Sequence, residues 1–129
     1  MGFWDLKGTY ILKMKELAIK LFKVYINLNI MILVNSLLVN KEGTSWIYYC
    51  NVFQIENNTV EDISEKFDGQ ENFEYDKETY CLKISHWSWT AYNRIKAFLN
   101  DNPDFVKEYG IGDINNIVDV SLDGYKRFI

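Results

Sequence analysis

Two rhythms of apolar and polar residues run along this 129-residue chain, and they assign most of its elements. The run Trp46 to Ile55, WIYYCNVFQI, is rich in aromatic and β-branched side chains and holds no charge. Such a run does not stay in water, so it predicts the central strand of a sheet on which the rest packs. Tyr10 to Lys23 has the other rhythm: Ile11, Met14, Ala18, Leu21 and Tyr25 recur at helical spacing, away from Lys13, Glu16, Lys20 and Lys23. Between them, Val24 to Asn35 reads either as a continuation of that helix or as a strand with Ile26, Leu28, Ile30, Ile32 and Val34 on one face. Strict alternation and β-branching favour the strand, with Asn40-Lys41-Glu42-Gly43 as the hairpin turn into Trp46.

Further along, Thr59 with Asp62 three positions on resembles a capping box. Val60, Ile63 and Phe67 then form a helical stripe that ends at Gly69. Strands are predicted at Phe73 to Tyr75 and Thr79 to Ser85, joined by Asp76-Lys77-Glu78, with Tyr80, Leu82 and Ile84 on one face. Ser88 is a good N-cap for a helix to Leu99 that turns Tyr92, Ile95 and Leu99 inward, beside Ala91 and Phe98. Asn102-Pro103 opens a shorter helix that stops before Gly110. The tail, Ile114 to Ile129, alternates around Asp123-Gly124 as a terminal hairpin would. The fold class these elements predict is α+β: a single compact domain with a small, mostly antiparallel sheet. An N-terminal amphipathic helix and a C-terminal helical pair, Ser88–Leu99 and Pro103–Tyr109, pack on it.

Composition supports one domain: 48% hydrophobic residues suffice for one core, and a single proline argues against long linkers. Cys50 and Cys81 sit in apolar, strand-like stretches, which favours two reduced core thiols over a disulfide and points to a cytoplasmic setting. The most apolar N-terminal run begins near Val24, after five lysines, and does not resemble a secretory signal; the sequon Asn57-Asn58-Thr59 is then idle. The charge-free run Val24 to Asn40 reaches the lower limit of about 17 residues for a bilayer span. Its four asparagines argue against that.

Charge is unevenly divided. The first 41 residues carry an excess of lysine, whereas Glu56 to Glu78 holds nine carboxylates against Lys66 and Lys77. That segment repels nucleic acid and anionic membrane and attracts basic protein surfaces.

Catalytic chemistry finds little support in the motifs. His86 is the single histidine, and neither it nor the two cysteines has close metal-ligand spacing. Gly110-Ile111-Gly112-Asp113 lacks the third glycine of a dinucleotide loop and the lysine of a phosphate loop, so it reads as a turn. Asp119 to Gly124 fits neither a calcium loop nor a phosphotransfer pair. The aromatic cluster Trp87-Ser88-Trp89, beside Tyr92 and Arg94, either seals the core or presents a binding hot spot.

The expectation is a small acidic binding protein without cofactor or metal. It would inhibit a basic, nucleic-acid-handling partner, as an immunity protein blocks a toxin nuclease or an anti-CRISPR type inhibitor blocks a defence complex. Candidate contacts are Glu61, Asp62, Glu65, Asp68, Glu71, Glu74, Trp87 and Trp89. Direct nucleic-acid binding and membrane insertion are not expected, and a homodimer is compatible with the sequence. A membrane-surface protein using its lysine-bearing helix and a carboxylate-dependent enzyme are the alternatives.

Overall fold

In the computed structural model, which describes residues 30–43, 45–57, 59–85 and 90–119, the apolar runs on either side of Gly43 form one long antiparallel hairpin. Strand β1 (Ile30–Glu42) pairs with β2 (Ser45–Glu56) from Glu42↔Ser45 at the turn to Ile30↔Glu56 at the far end. Gly43 turns the corner at φ +63, a left-handed conformation that a side chain disfavours. Leu37 is the extra residue of a bulge between Ser36 and Leu38. Neighbouring residues of β1 point to opposite faces, yet Met31, Ile32, Leu33 and Val34 are all buried. Burial on both faces is why this stretch is continuously apolar rather than alternating with charges.

Four shorter strands complete a six-stranded sheet: β3 (Thr59–Asp62), β4 (Phe73–Asp76), β5 (Cys81–Ser85) and β6 (Ile117–Asp119). Its order is β4-β5-β2-β1-β6, with β3 also on β2, so the uncharged run does occupy the middle. One face carries Ile32, Val34, Tyr48, Cys50, Val52, Leu82 and Ile84. Helices α1 (Ala91–Asp101) and α2 (Pro103–Glu108) and the 3-10 turn Ser64–Phe67 pack on it. Of the expected stripe Tyr92, Ile95 and Leu99, with Ala91 and Phe98 beside it, helix α1 buries Ile95, Leu99, Ala91 and Phe98 and leaves Tyr92 half-buried. A second apolar cluster, Met31, Leu33, Phe53 and Ile55, occupies the opposite face. Asn35 lies fully buried with neither amide atom hydrogen-bonded, and nothing among the described residues explains it.

The structure corrects the expected fold class. The sheet dominates the described residues, with only two α-helices beside it, and it is mixed because β6 returns parallel to β1 (Ile32↔Ile117, Val34↔Asp119). The helix expected from Thr59 is replaced by β3 and the 3-10 turn. Asn57, at φ +48, opens a two-residue connection that closes on Glu56↔Thr59, and hairpin pairing overrides the local cap signal. The helix expected from Ser88 to Leu99 is Ala91–Asp101 in the described residues. Its N-cap is Thr90, whose hydroxyl accepts from the Asn93 N–H at 3.3 Å. Asn102 does not cap α2 with its side chain; its amide donates to the Phe98 carbonyl at the end of α1, 2.9 Å away. Thr79 and Tyr80 belong to the β4–β5 turn, not to the strand. The predicted helix Tyr10–Lys23, Ile26, Leu28, His86, Trp87, Ser88, Trp89 and Asp123-Gly124 lie outside the described residues.

Parity along the sheet settles the cysteines. Cys50 stands opposite Leu82 and shares its face, so Cys81, one residue earlier, points through the other side. Both thiols are free and buried. Burial, with smaller contributions from Cys81, Asp119 and Asp62, pushes the Cys50 thiol well above its ordinary range, which leaves it protonated and unreactive.

Candidate functional site

The long strand β2 is served on its outer side by two short ones. Strand β5 pairs with Ile47 to Cys50 and β3 with Phe53 to Glu56, which leaves Asn51 and Val52 between them. Buried backbone groups in such a gap need partners. The Val52 N–H donates to Ser64 Oγ at 2.9 Å, and its carbonyl accepts from the Ile63 N–H at 2.8 Å. The Asn51 amide, fully buried, donates to the Tyr80 carbonyl at 2.8 Å and to Asp62 Oδ2 at 3.3 Å. Asp62 Oδ1 accepts from the Ser64 N–H at 2.9 Å. One polar network therefore joins β2, β3, the 3-10 turn and the β4–β5 turn. It also accounts for Tyr80, a non-glycine residue at φ +57, because that conformation accompanies delivery of its carbonyl to Asn51; its side chain is left 50% exposed.

Around this network lie the carboxylates singled out from the sequence. All nine, from Glu56 to Glu78, sit in the segment that runs from the end of β2 through β3 and β4 to the β4–β5 turn; the eight after Glu56 lie on the side of β2 away from β1. They do not do the same work. Glu61, Glu71 and Glu74 lie 3.7, 3.6 and 3.7 Å from Lys66, Arg94 and Lys83. Their carboxylates are at least half exposed, so each pair stabilises little, on the order of 0–1 kcal/mol. Asp62, Asp68 and Asp76 accept backbone N–H groups from Ser64, Tyr75 and Glu78 and shape turns. Glu56, Glu65 and Glu78 make no ion pair among the described residues, and Glu65 and Glu78 are exposed. Of the contacts named from the sequence, Asp62 and Asp68 thus hold backbone N–H groups, Glu61, Glu71 and Glu74 stand in ion pairs, and Glu65 has none among the described residues.

Burial and then the Asp62 and Glu65 carboxylates push the Tyr75 phenol up to about 12. An open groove of about 490 Å³ runs along the neighbouring hairpin, lined by Tyr49, Glu74, Tyr75, Asp76, Lys77, Glu78 and Lys83. No group of three His, Cys, Asp or Glu side chains among the described residues is placed to hold a metal ion, and no helix among them is long and apolar enough to cross a membrane. The residues missed from the sequence are Asn51, Ser64 and Tyr80. Their available signal was a lone polar side chain, Asn51, inside an otherwise apolar strand, where a buried amide must find partners.

Asp62 gives this network a pH signature. The residue is exposed as a whole, but its carboxyl turns toward Asn51 and Ser64. Burial raises its pKa, opposed by the hydrogen bonds from Ser64 and Asn51 and aided by Glu61. A raised native pKa means that the fold holds this proton more tightly than the unfolded chain does. The group therefore favours the fold fully below the unfolded value, and that contribution is lost as pH rises through the native one. The stability difference between wild type and Asp62→Asn should shift in favour of wild type as pH falls from neutral toward 4, read by urea unfolding at each pH. A shift of opposite sign would mean that the hydrogen bonds outweigh burial.

Comparison with protein-family models, curated proteins and solved structures finds no match for this chain.

Proposed function

We propose that this chain is an inhibitor-type binding protein that engages a basic, nucleic-acid-handling protein through the carboxylate-rich side of its sheet, in the manner of a toxin-immunity protein or an anti-CRISPR type inhibitor. The observation that carries the reading is the run of nine carboxylates in one continuous segment, eight of them on the side of β2 away from β1, against Lys66 and Lys77 in that segment, Lys83 on β5 and Arg94 on α1. Its own ion pairs neutralise only three of the nine carboxylates. Such a field accelerates encounter with a positive cleft and disfavours acidic partners.

The test begins with affinity capture from the native host and assay of the captured protein's nucleic-acid chemistry with and without this chain. Glu65→Lys with Glu78→Lys removes charges that no ion pair among the described residues uses. The double variant should slow association by about tenfold or more at low salt and change it little near 1 M, where the Debye length falls to about 3 Å. An acidic partner, or association indifferent to both salt and charge reversal, would overturn the proposal.

A further inference from the structure

The two outer edges on this side of the sheet are finished differently. On β4, the Tyr75 N–H points away from β5 and is taken by Asp68 Oδ1 at 2.9 Å. The Phe73 N–H donates to the Gln70 carbonyl, and the Phe73 carbonyl accepts from the Gly69 N–H at 3.1 Å. The preceding loop therefore closes that edge with the chain's own groups.

Among the described residues, strand β3 has no such cover. Its hairpin closes on Glu56↔Thr59 across a two-residue connection, and a closing pair of that length must be the hydrogen-bonded kind. Alternation then makes Gln54↔Glu61 hydrogen-bonded and leaves Ile55↔Val60 and Phe53↔Asp62 as the pairs whose β3 groups face outward. The bond from the Ile63 N–H to the Val52 carbonyl confirms that phase. The N–H and C=O of Val60 and the N–H of Asp62 therefore point away from β2, with no partner among the described residues.

We infer that the open edge of β3 receives an extended, basic segment of the partner protein as an added strand. The inference rests on the binding reading above and names how the acidic side is used. Backbone groups of Val60 and Asp62 supply the ladder, as in strand addition generally. Glu61 on β3, Glu56 opposite Thr59 across the hairpin and Glu65 in the turn that follows give that end of the sheet the negative sign an approaching strand must complement. The same charges oppose pairing with a second copy of this acidic chain, which protects an exposed edge from self-association.

A lysine–threonine alternating peptide serves as the probe, beside the same peptide methylated at every backbone nitrogen and a glutamate–threonine counterpart. NMR hydrogen exchange on the full chain gives the readout. The lysine peptide should slow exchange at the Val60 and Asp62 amides by about tenfold at saturation, with other surface amides unchanged. The methylated and glutamate peptides should not. Equal binding by the lysine peptide and its methylated form, without protection at Val60 and Asp62, would overturn strand addition while leaving the acidic surface as a binder of positive charge. No binding by the lysine peptide at low salt would also overturn it, and the charge-reversal kinetics above would then decide the wider reading separately.

Discussion

Phe67→Ala should lower the unfolding free energy by about 3–5 kcal/mol, a large share of the roughly 5–15 kcal/mol that holds a typical domain folded. Phe67 is fully buried, and its ring contacts come from three other elements. Phe73 of β4 lies edge-on at 5.8 Å, Phe98 of α1 edge-on at 5.9 Å, and Phe105 of α2 tilted at 5.3 Å. Phe73 and Phe98 also meet at 5.1 Å, and Phe98 and Phe105 at 4.9 Å, so removing Phe67 empties the middle of a closed group of rings. Ring pairs of this geometry add about 0.5–1.5 kcal/mol each beyond buried area. Phe67→Leu, which keeps most of the volume but none of the edge-to-face contacts, should fall between wild type and alanine. Urea unfolding with an unchanged slope would read both losses. An alanine variant within about 1 kcal/mol of wild type would mean that the rings do not pack as described.

That cluster also shows how the sequence could mislead while naming the right residue. The stripe Val60, Ile63 and Phe67 was legible as apolar material facing a core, and Ile63 and Phe67 are indeed buried. Its period suggested a helix because spacings of three and four also arise when a strand ends and a 3-10 turn begins. Whether Thr59 caps a helix or closes a hairpin depends on whether β2 offers a free edge, and that is a property of chain segments far apart in sequence. The parallel return of β6 was hidden for the same reason. Ile117-Val118-Asp119 carries a short strand-like signal, but only packing of the 110–116 loop against β1 brings it alongside Ile32 to Val34. Local signals with local causes fared better: Gly43 and Gly69 adopt positive φ, Pro103 starts α2, and α1 buries Ile95 and Leu99 as spaced.

The candidate site divides along the same line. A run of carboxylates is visible in any sequence, and its gathering on one side of β2 follows from two consecutive hairpins. Which carboxylates are free was not legible. Asp62 and Asp68 resemble Glu61 and Glu65 in a charge count, yet their shorter side chains reach backbone N–H groups within a few residues and are consumed by turns and edges. The longer glutamates Glu65 and Glu78 extend past the backbone and stay exposed.

The loop that positions β6 leads to the second large effect. Gly112→Ala should destabilise the fold by about 1–3 kcal/mol through overpacking, although Gly112 does not adopt a left-handed φ. The constraint is space. A methyl group at Gly112 would overlap Ile30 Cγ2 and lie 3.6 Å from Ile30 Cβ and 3.8 Å from Gln54 Cδ. Ile30 cannot swing aside cheaply, because Cγ2 branches from Cβ and the side chain is stiff at χ1. Nor can the loop lift away without losing bonds. The Gly112 N–H donates to Gln54 Oε1 at 2.8 Å, the Asn116 amide donates to the Ile30 carbonyl at 3.1 Å, and the Ile32 N–H donates to the Asn116 carbonyl at 3.0 Å. Ile111 is buried in the core beside it. The decisive comparison is a double-mutant cycle with Ile30→Ala, which removes the clashing methyl. Steric overlap as the cause requires the paired variant to be more stable than the sum of the single losses predicts, by about 1 kcal/mol or more. Simple additivity would place the cost of alanine in the backbone of the loop and not in its contact with β1.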